Sequence, residues 1–147
     1  MRFHTSELLT SDFLTFLHEL LAHAWLSFGH PGVLVGNMIS DHVKGKARYD
    51  YPSEVQAGIA LHRLIDEFTD THPATTAAKK FFRAEYRLYA APVTDIIYDH
   101  FLARDERYFT DESLLAFTQQ VYGTLQSYAE LLPPRFLAML PHMTQHN

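Results

Sequence analysis

The sequence predicts an all-α, single-domain helical bundle across residues 1–147. Three observations carry this. Apolar residues recur every three to four positions in nearly every segment. Alternating strand runs and Asn-Gly hairpin turns are missing. Proline and glycine fall between the periodic segments, where helices start and stop. The length suits one domain with a real core.

The first helix is SDFLTFLHELLAHAWLSF, with Ser11 as N-cap and Gly29-His30-Pro31-Gly32 as its end. VLVGNMISDHV follows as a short apolar helix that turns polar at Asp41, and KGKARYDYP reads as a loop closed by Pro52. Ser53 and Gln56 fit a capping box for the next helix. That helix runs through LHRLIDEFTD and stops before Pro73, because a residue preceding proline is pushed out of helical geometry. ATTAAKKFFRAEYRLY is a helix with a basic face, and Pro92 opens VTDIIYDHFLAR. DESLLAFTQQVYGTLQSYAELL places Leu114, Phe117, Val121, Leu125, Tyr128 and Leu132 on one stripe. Pro133, Pro134 and Pro141 then punctuate the tail.

Composition excludes several functions. There is no cysteine, so neither a disulfide nor a thiolate metal site can form, which fits a cytoplasmic setting. The first residues carry acid where a secretory signal needs an apolar run. Leu20 to Ser40 has no charged Lys, Arg, Asp or Glu, but His23, His30, Asn37 and the Gly-Pro break argue against a membrane helix. A net charge of −5 argues against nucleic acid. Yet eight of the twelve Lys and Arg residues lie between Lys44 and Arg87, a local basic band able to attract an anionic partner.

The segment LHRLIDEFTDTH mixes imidazole, carboxylate and bulky apolar side chains. On a helix, His62, Asp66 and Asp70 fall within about 80° of one another. Leu61, Leu64, Ile65 and Phe68 flank this ridge and are expected to meet the core. Clustered carboxylates beside buried surface are costly without a compensating cation. TDIIYDHF adds Asp99 and His100, with Asp95 read as a solvated carboxylate; Asp41 ends one apolar helix and His23 sits inside another. His62 with Asp66 also fits a simple i,i+4 ion pair, and His23 a hydrogen-bonded core histidine. Four helices offering His or Asp inward is nevertheless how bundles build metal sites. Imidazole with carboxylate suits manganese or iron, with magnesium also allowed. Such an ion would activate water toward a phosphoryl group, with Lys44 and Arg63 as phosphate contacts.

LAHAWLS, GNMISDHVKG, LHRLIDEFTDTHP and YDHFLAR, in this order, resemble the acyl carrier protein phosphodiesterase family from about Leu21 onward. That family is similar to the HD-type metal phosphohydrolases, which are all-helical. The resemblance implies hydrolysis of 4′-phosphopantetheine from holo-acyl carrier protein with Mn2+. It implies metal ligands among His23, Asp41, His62, Asp66 and Asp99, and catalytic roles for Asp41, Asp70 and His100. An acidic carrier protein would dock on Lys44, Lys46, Arg48, Lys79, Lys80, Arg83 and Arg87. Against the family pattern, residues 1–20 form an N-terminal extension, and further C-terminal helices are expected beyond the last residue. The rival expectations are an HD-type enzyme acting on a nucleotide or other small phosphodiester, and a non-catalytic binding module. Oligomeric state stays open, a homodimer included.

Overall fold

The computed structural model describes residues 20–145, and among them there are seven α-helices and no strand. They are α1 (Leu21–Trp25), α2 (Pro31–Ile39), α3 (Ser53–Thr71), α4 (Pro73–Tyr86), α5 (Ala90–Arg104), α6 (Asp111–Ser127) and α7 (Pro134–Gln145). Short 3-10 turns follow α2 (Ser40–His42), fill the next loop (Gly45–Asp50), follow α4 (Arg87–Tyr89) and follow α6 (Ala129–Leu131). The expected Ser11 N-cap lies outside the described residues.

The core sits between α2, α3, α6 and α7. Val35 and Ile39 from α2, Val55 and Ile59 from α3, Val121 and Leu125 from α6, and Phe136 and Met143 from α7 are its buried centre. α2 is buried along nearly its whole length, which is why it reads as apolar all round. The α6 stripe lies where periodicity put it: Val121, Leu125 and Leu132 are buried, and Leu114, Phe117 and Tyr128 are half-buried. Trp25 anchors α1 by edge-on packing against Phe109 and Phe117.

α2 and α3 cross at two glycines. A Cβ on Gly36 would strike the Val55 carbonyl, and one on Gly58 would strike the Val33 carbonyl and the Asn37 nitrogen. The two backbones therefore touch, and this contact brings Asn37 of α2 against His62 of α3.

Several local expectations are corrected. Pro52, not Ser53, is the N-cap of α3 and no side chain caps it; the Gln56 amide donates to the Tyr51 carbonyl at 2.7 Å instead. Part of the loop before α3 is 3-10 turn rather than irregular. Proline does not break the tail: Pro134 begins α7 and Pro141 lies within it. α7 still buries Phe136, Leu140 and Met143, and that packing outweighs the one backbone hydrogen bond Pro141 removes. Leu64 and Phe68 are 62% and 70% exposed, not core. The buried face of α3 runs Val55, Gly58, Ile59, His62, and Leu64 and Phe68 fall about 200–240° round the helix from His62.

α4 and α5 form a hairpin beside this core. The His72 imidazole accepts the Ala74 N–H and caps α4, and Thr75 and Tyr98 hydroxyls meet at 3.0 Å between the helices. Asp99 of α5 reaches across to the start of α1, accepting the Leu21 N–H at 2.8 Å and the Ala22 N–H at 3.0 Å. No helix among the described residues is long and apolar enough to cross a membrane.

Candidate metal centre

His23 on α1 and His62 on α3 are both buried and stack nearly parallel, with ring centroids 4.1 Å apart. Asn37 holds both. Its carboxamide nitrogen donates to the His23 carbonyl at 2.8 Å and to the Ser27 hydroxyl at 3.1 Å. A carbonyl can only accept, so the amide orientation is determined, and the Asn37 side-chain oxygen faces His23 Nδ1 at 2.9 Å. The Asn37 backbone carbonyl faces His62 Nδ1 at 2.7 Å. Both Nδ1 atoms therefore carry protons. The two Nε2 atoms turn outward, with lone pairs when the rings are neutral.

What they meet is carboxylate. Asp66 straddles the rings, one oxygen 3.3 Å from His23 Nε2 and the other 3.2 Å from His62 Nε2. Asp41, in the 3-10 turn after α2, lies 3.5 Å from His62 Nε2. Lone pairs facing carboxylates repel unless positive charge stands between them. A proton can supply it: burial works against a charged His62, but Asp41 and Asp66 outweigh burial and push its pKa up to about 9. Asp66 resists ionisation through burial, yet hydrogen bonds from His23 and His62 hold its carboxyl well below the usual range. Asp41 is lowered too, first by its contact with His62.

A divalent ion can supply the charge instead. One ligand atom each from His23, His62 and Asp66 lie within 4.8 Å of one another. An ion with bonds of about 2.1 Å spans donors about 3 Å apart, close to the two His–Asp separations. Asn37 would then orient both rings by accepting from their far nitrogens. The donor set thus fits an ion that accepts mixed imidazole and carboxylate.

The cluster lines an open cavity of about 370 Å3. Asp70, Asp95, Tyr98 and Asp99 also face it. Of the residues expected at the site, His23, Asp41, His62, Asp66, Asp70 and Asp99 are brought together, in different roles. Asp70 is paired with Lys79 Nζ at 2.6 Å. Asp99 lines the same cavity, and its two oxygens secure the start of α1, two residues before His23. His100 points elsewhere, exposed and edge-on to Phe101. Lys44 and Arg63 do not line the cavity, and the Arg63 guanidinium lies 3.4 Å from the Val43 carbonyl. Asp95 is not solvated as expected. It is half-buried in the cavity wall, where burial and then the Asp70 charge push its carboxyl up to about 6. Asn37 was missed as a site residue, and its signal was present: one carboxamide in the middle of the apolar run VLVGNMIS.

An all-helical protein whose stacked histidines and carboxylates converge on a cavity belongs to the class of helical bundles with an imidazole–carboxylate cluster that could hold a cation. The chain belongs to the acyl carrier protein phosphodiesterase family, whose model matches residues 19–147. It is 38% identical over 117 residues to the acyl carrier protein phosphodiesterase of Serratia proteamaculans, 79% of this chain and 61% of the relative. It is 36% identical over 119 residues to that of Yersinia enterocolitica, 80% of this chain and 62% of the relative. With that of Photorhabdus laumondii it shares 33% identity over 130 residues, 88% of this chain and 66% of the relative. The chain thus spans a little under two thirds of the length of these relatives. No solved structure matches it.

Proposed function

We propose that this protein is a metal-dependent phosphodiesterase that removes 4′-phosphopantetheine from holo-acyl carrier protein. The observation that carries the reading is the His23–His62–Asp66 cluster, with both Nε2 atoms aimed into an open cavity, in a chain of this family. His23, His62, Asp66 and Asp41 would hold Mn2+, with Mg2+ or Fe2+ as alternatives. When bound, the ion supplies charge neutralisation at the phosphoryl group and lowers the pKa of water.

The chain's own residues do the rest. Asn37 keeps both imidazoles turned toward the cavity, and Asp99 fixes the start of the helix that carries His23. In the reaction a bond forms from water oxygen to phosphorus, and the bond from phosphorus to the serine oxygen of the carrier breaks. The departing serine oxygen needs a proton. Asp95 is suited to hand it over, because its carboxyl near 6 holds a proton part of the time close to neutrality. Asp70 raises the Asp95 carboxyl through its charge, and Lys79, paired with Asp70, opposes that rise. A carrier protein of this kind works in the cytoplasm, and the proposed reaction belongs there.

The test is incubation of holo-carrier with the purified chain and Mn2+, followed by intact-mass measurement. Loss of the phosphopantetheine mass, abolished in Asp66→Ala and in Asp41→Ala, supports the reading. An unchanged holo-carrier mass, or cleavage of nucleotides with the carrier untouched, refutes it.

A further inference from the structure

A phosphodiester entering the acidic cavity needs more than a cation. The walls carry Asp41, Asp66, Asp70, Asp95 and Asp99, and no Lys or Arg among the described residues. Lys79, Arg83 and Arg87 line a second cavity instead, of about 400 Å3, which adjoins the first at Ala91. Phosphoryl oxygens in the acidic cavity must therefore find neutral donors. Two side-chain hydroxyls line it, those of Thr69 and Tyr98. Tyr98 is already engaged, 3.0 Å from the hydroxyl of buried Thr75.

Thr69 is not engaged. A threonine inside a helix can turn its hydroxyl back to a carbonyl three or four residues earlier. Thr71, Thr76, Thr94, Thr118, Thr124 and Thr144 all do so. The Thr69 hydroxyl makes no hydrogen bond among the described residues, although the side chain is half-buried in the cavity wall. Its place on α3 is also telling. It follows His62 by seven residues and Asp66 by three, within about 20° and about 60° of them around the helix. It stands about 4.5 Å beyond Asp66 along the axis, on the side that carries the His–Asp cluster.

We infer that Thr69 is a substrate-contacting residue, its hydroxyl donating to a non-bridging oxygen of the phosphodiester bound beside the His23–His62–Asp66 cluster. The inference rests on the phosphodiesterase reading of this cavity. An ionised phosphoryl oxygen can only accept, so the hydroxyl is the donor. A neutral donor suits these walls. An ammonium placed here would be captured by a carboxylate, as Lys79 is by Asp70 at 2.6 Å, and would oppose the binding of a metal cation. Thr69 thus takes the part expected of Lys44 and Arg63, neither of which lines the cavity. A donor held against oxygens that gather charge acts most strongly in the transition state, so its loss lowers kcat and not only substrate affinity.

The test compares wild type with Thr69→Val, which removes the hydroxyl and keeps the branched shape, and with Thr69→Ser, which keeps the hydroxyl. The purified chains with Mn2+ are assayed on holo-carrier by steady-state kinetics. Thr69→Val should lower kcat/KM at least about tenfold, mostly through kcat, and Thr69→Ser should stay within about threefold of wild type. Mn2+ affinity by calorimetry and the urea midpoint should be unchanged in both. Thr69→Val that turns over like wild type, or Thr69→Ser as slow as Thr69→Val, overturns the inference. So does a loss of Mn2+ affinity or stability that parallels the loss of turnover. The same chains are assayed on a small chromogenic diester, bis(para-nitrophenyl) phosphate. If wild type cleaves that diester and leaves holo-carrier intact, the carrier reading falls, and the same ratios measured on the diester decide the role of Thr69. If holo-carrier is cleaved whether or not the hydroxyl is present, the carrier reading stands and the role of Thr69 falls. Cleavage of neither overturns both.

Discussion

Asn37 is fully buried and serves both imidazoles, so Asn37→Ala tests the architecture of the centre most directly. The substitution leaves the backbone carbonyl on His62 Nδ1 intact. It removes the acceptor for His23 Nδ1 and the donors to the His23 carbonyl and the Ser27 hydroxyl. Ser27 still donates to the His23 carbonyl at 2.9 Å, so that group keeps a partner. His23 Nδ1–H does not, and leaving a buried donor unmade costs about 1–3 kcal/mol. The small void left by the carboxamide adds about 1 kcal/mol. A total of roughly 2–4 kcal/mol follows, to be read as a lower urea midpoint at unchanged slope. The freed His23 ring can also rotate or change tautomer, so Mn2+ affinity should drop by about 10–100-fold, as when other groups that accept from a ligating histidine's far nitrogen are lost. Both quantities are measured on metal-free protein, by circular dichroism in urea and by Mn2+ titration calorimetry. A midpoint loss below about 0.5 kcal/mol together with unaltered Mn2+ affinity would refute the idea that Asn37 orients the rings.

Three further outcomes are expected. In metal-free buffer His62 carries a pKa near 9, raised above its unfolded value, so its contribution is complete below about pH 6.5 and disappears as pH rises through 9. That contribution has a ceiling of about 3 kcal/mol, reduced by solvent at the exposed Asp41 and Asp66; wild type and His62→Gln should diverge at neutral pH and converge by pH 10 in urea titrations, and parallel curves contradict the assignment. Gly58→Ala drives a methyl into the backbone of α2 and should cost more than about 2 kcal/mol, whereas Gly123→Ala, on an exposed face with open space at the Cβ, should be neutral or stabilising by up to about 1 kcal/mol; equal unfolding temperatures would deny the close helix crossing. Asp99→Asn keeps one acceptor but loses the charge that strengthens its bonds to Leu21 and Ala22, so those two amides should exchange hydrogen about tenfold faster while buried α6 amides hardly change.

How much of the centre was legible is best seen along α3 and α5. His62, Asp66 and Asp70 share one side of α3 by helical period alone, and the fold keeps them on one cavity. Asp95 and Asp99 share a side of α5 by the same rule, and both line the cavity. Asp99 also accepts the backbone N–H groups at the start of α1, while Asp95 is half-buried in the cavity wall. Period places two residues four apart on one face. It does not say which of them a neighbouring helix end will meet, since that depends on where α1 lands along α5. Leu64 and Phe68 show the same limit: their apolar character predicted core, but α3 turns His62 inward and so turns them out.

By itself the sequence determined that the protein is helical, where most helices begin and end, and which segments carry imidazole and carboxylate. Those properties follow from local sterics, proline and glycine geometry and the 3.6-residue repeat. Only the tertiary structure decided that His23 stacks on His62, that Asn37 accepts from the inner nitrogen of both rings, and that an acidic and a basic cavity adjoin at Ala91. The physical reason is the glycine crossing of α2 on α3. Two backbones in contact bring together residues 25 positions apart, and no local rule acting along one helix can set that distance.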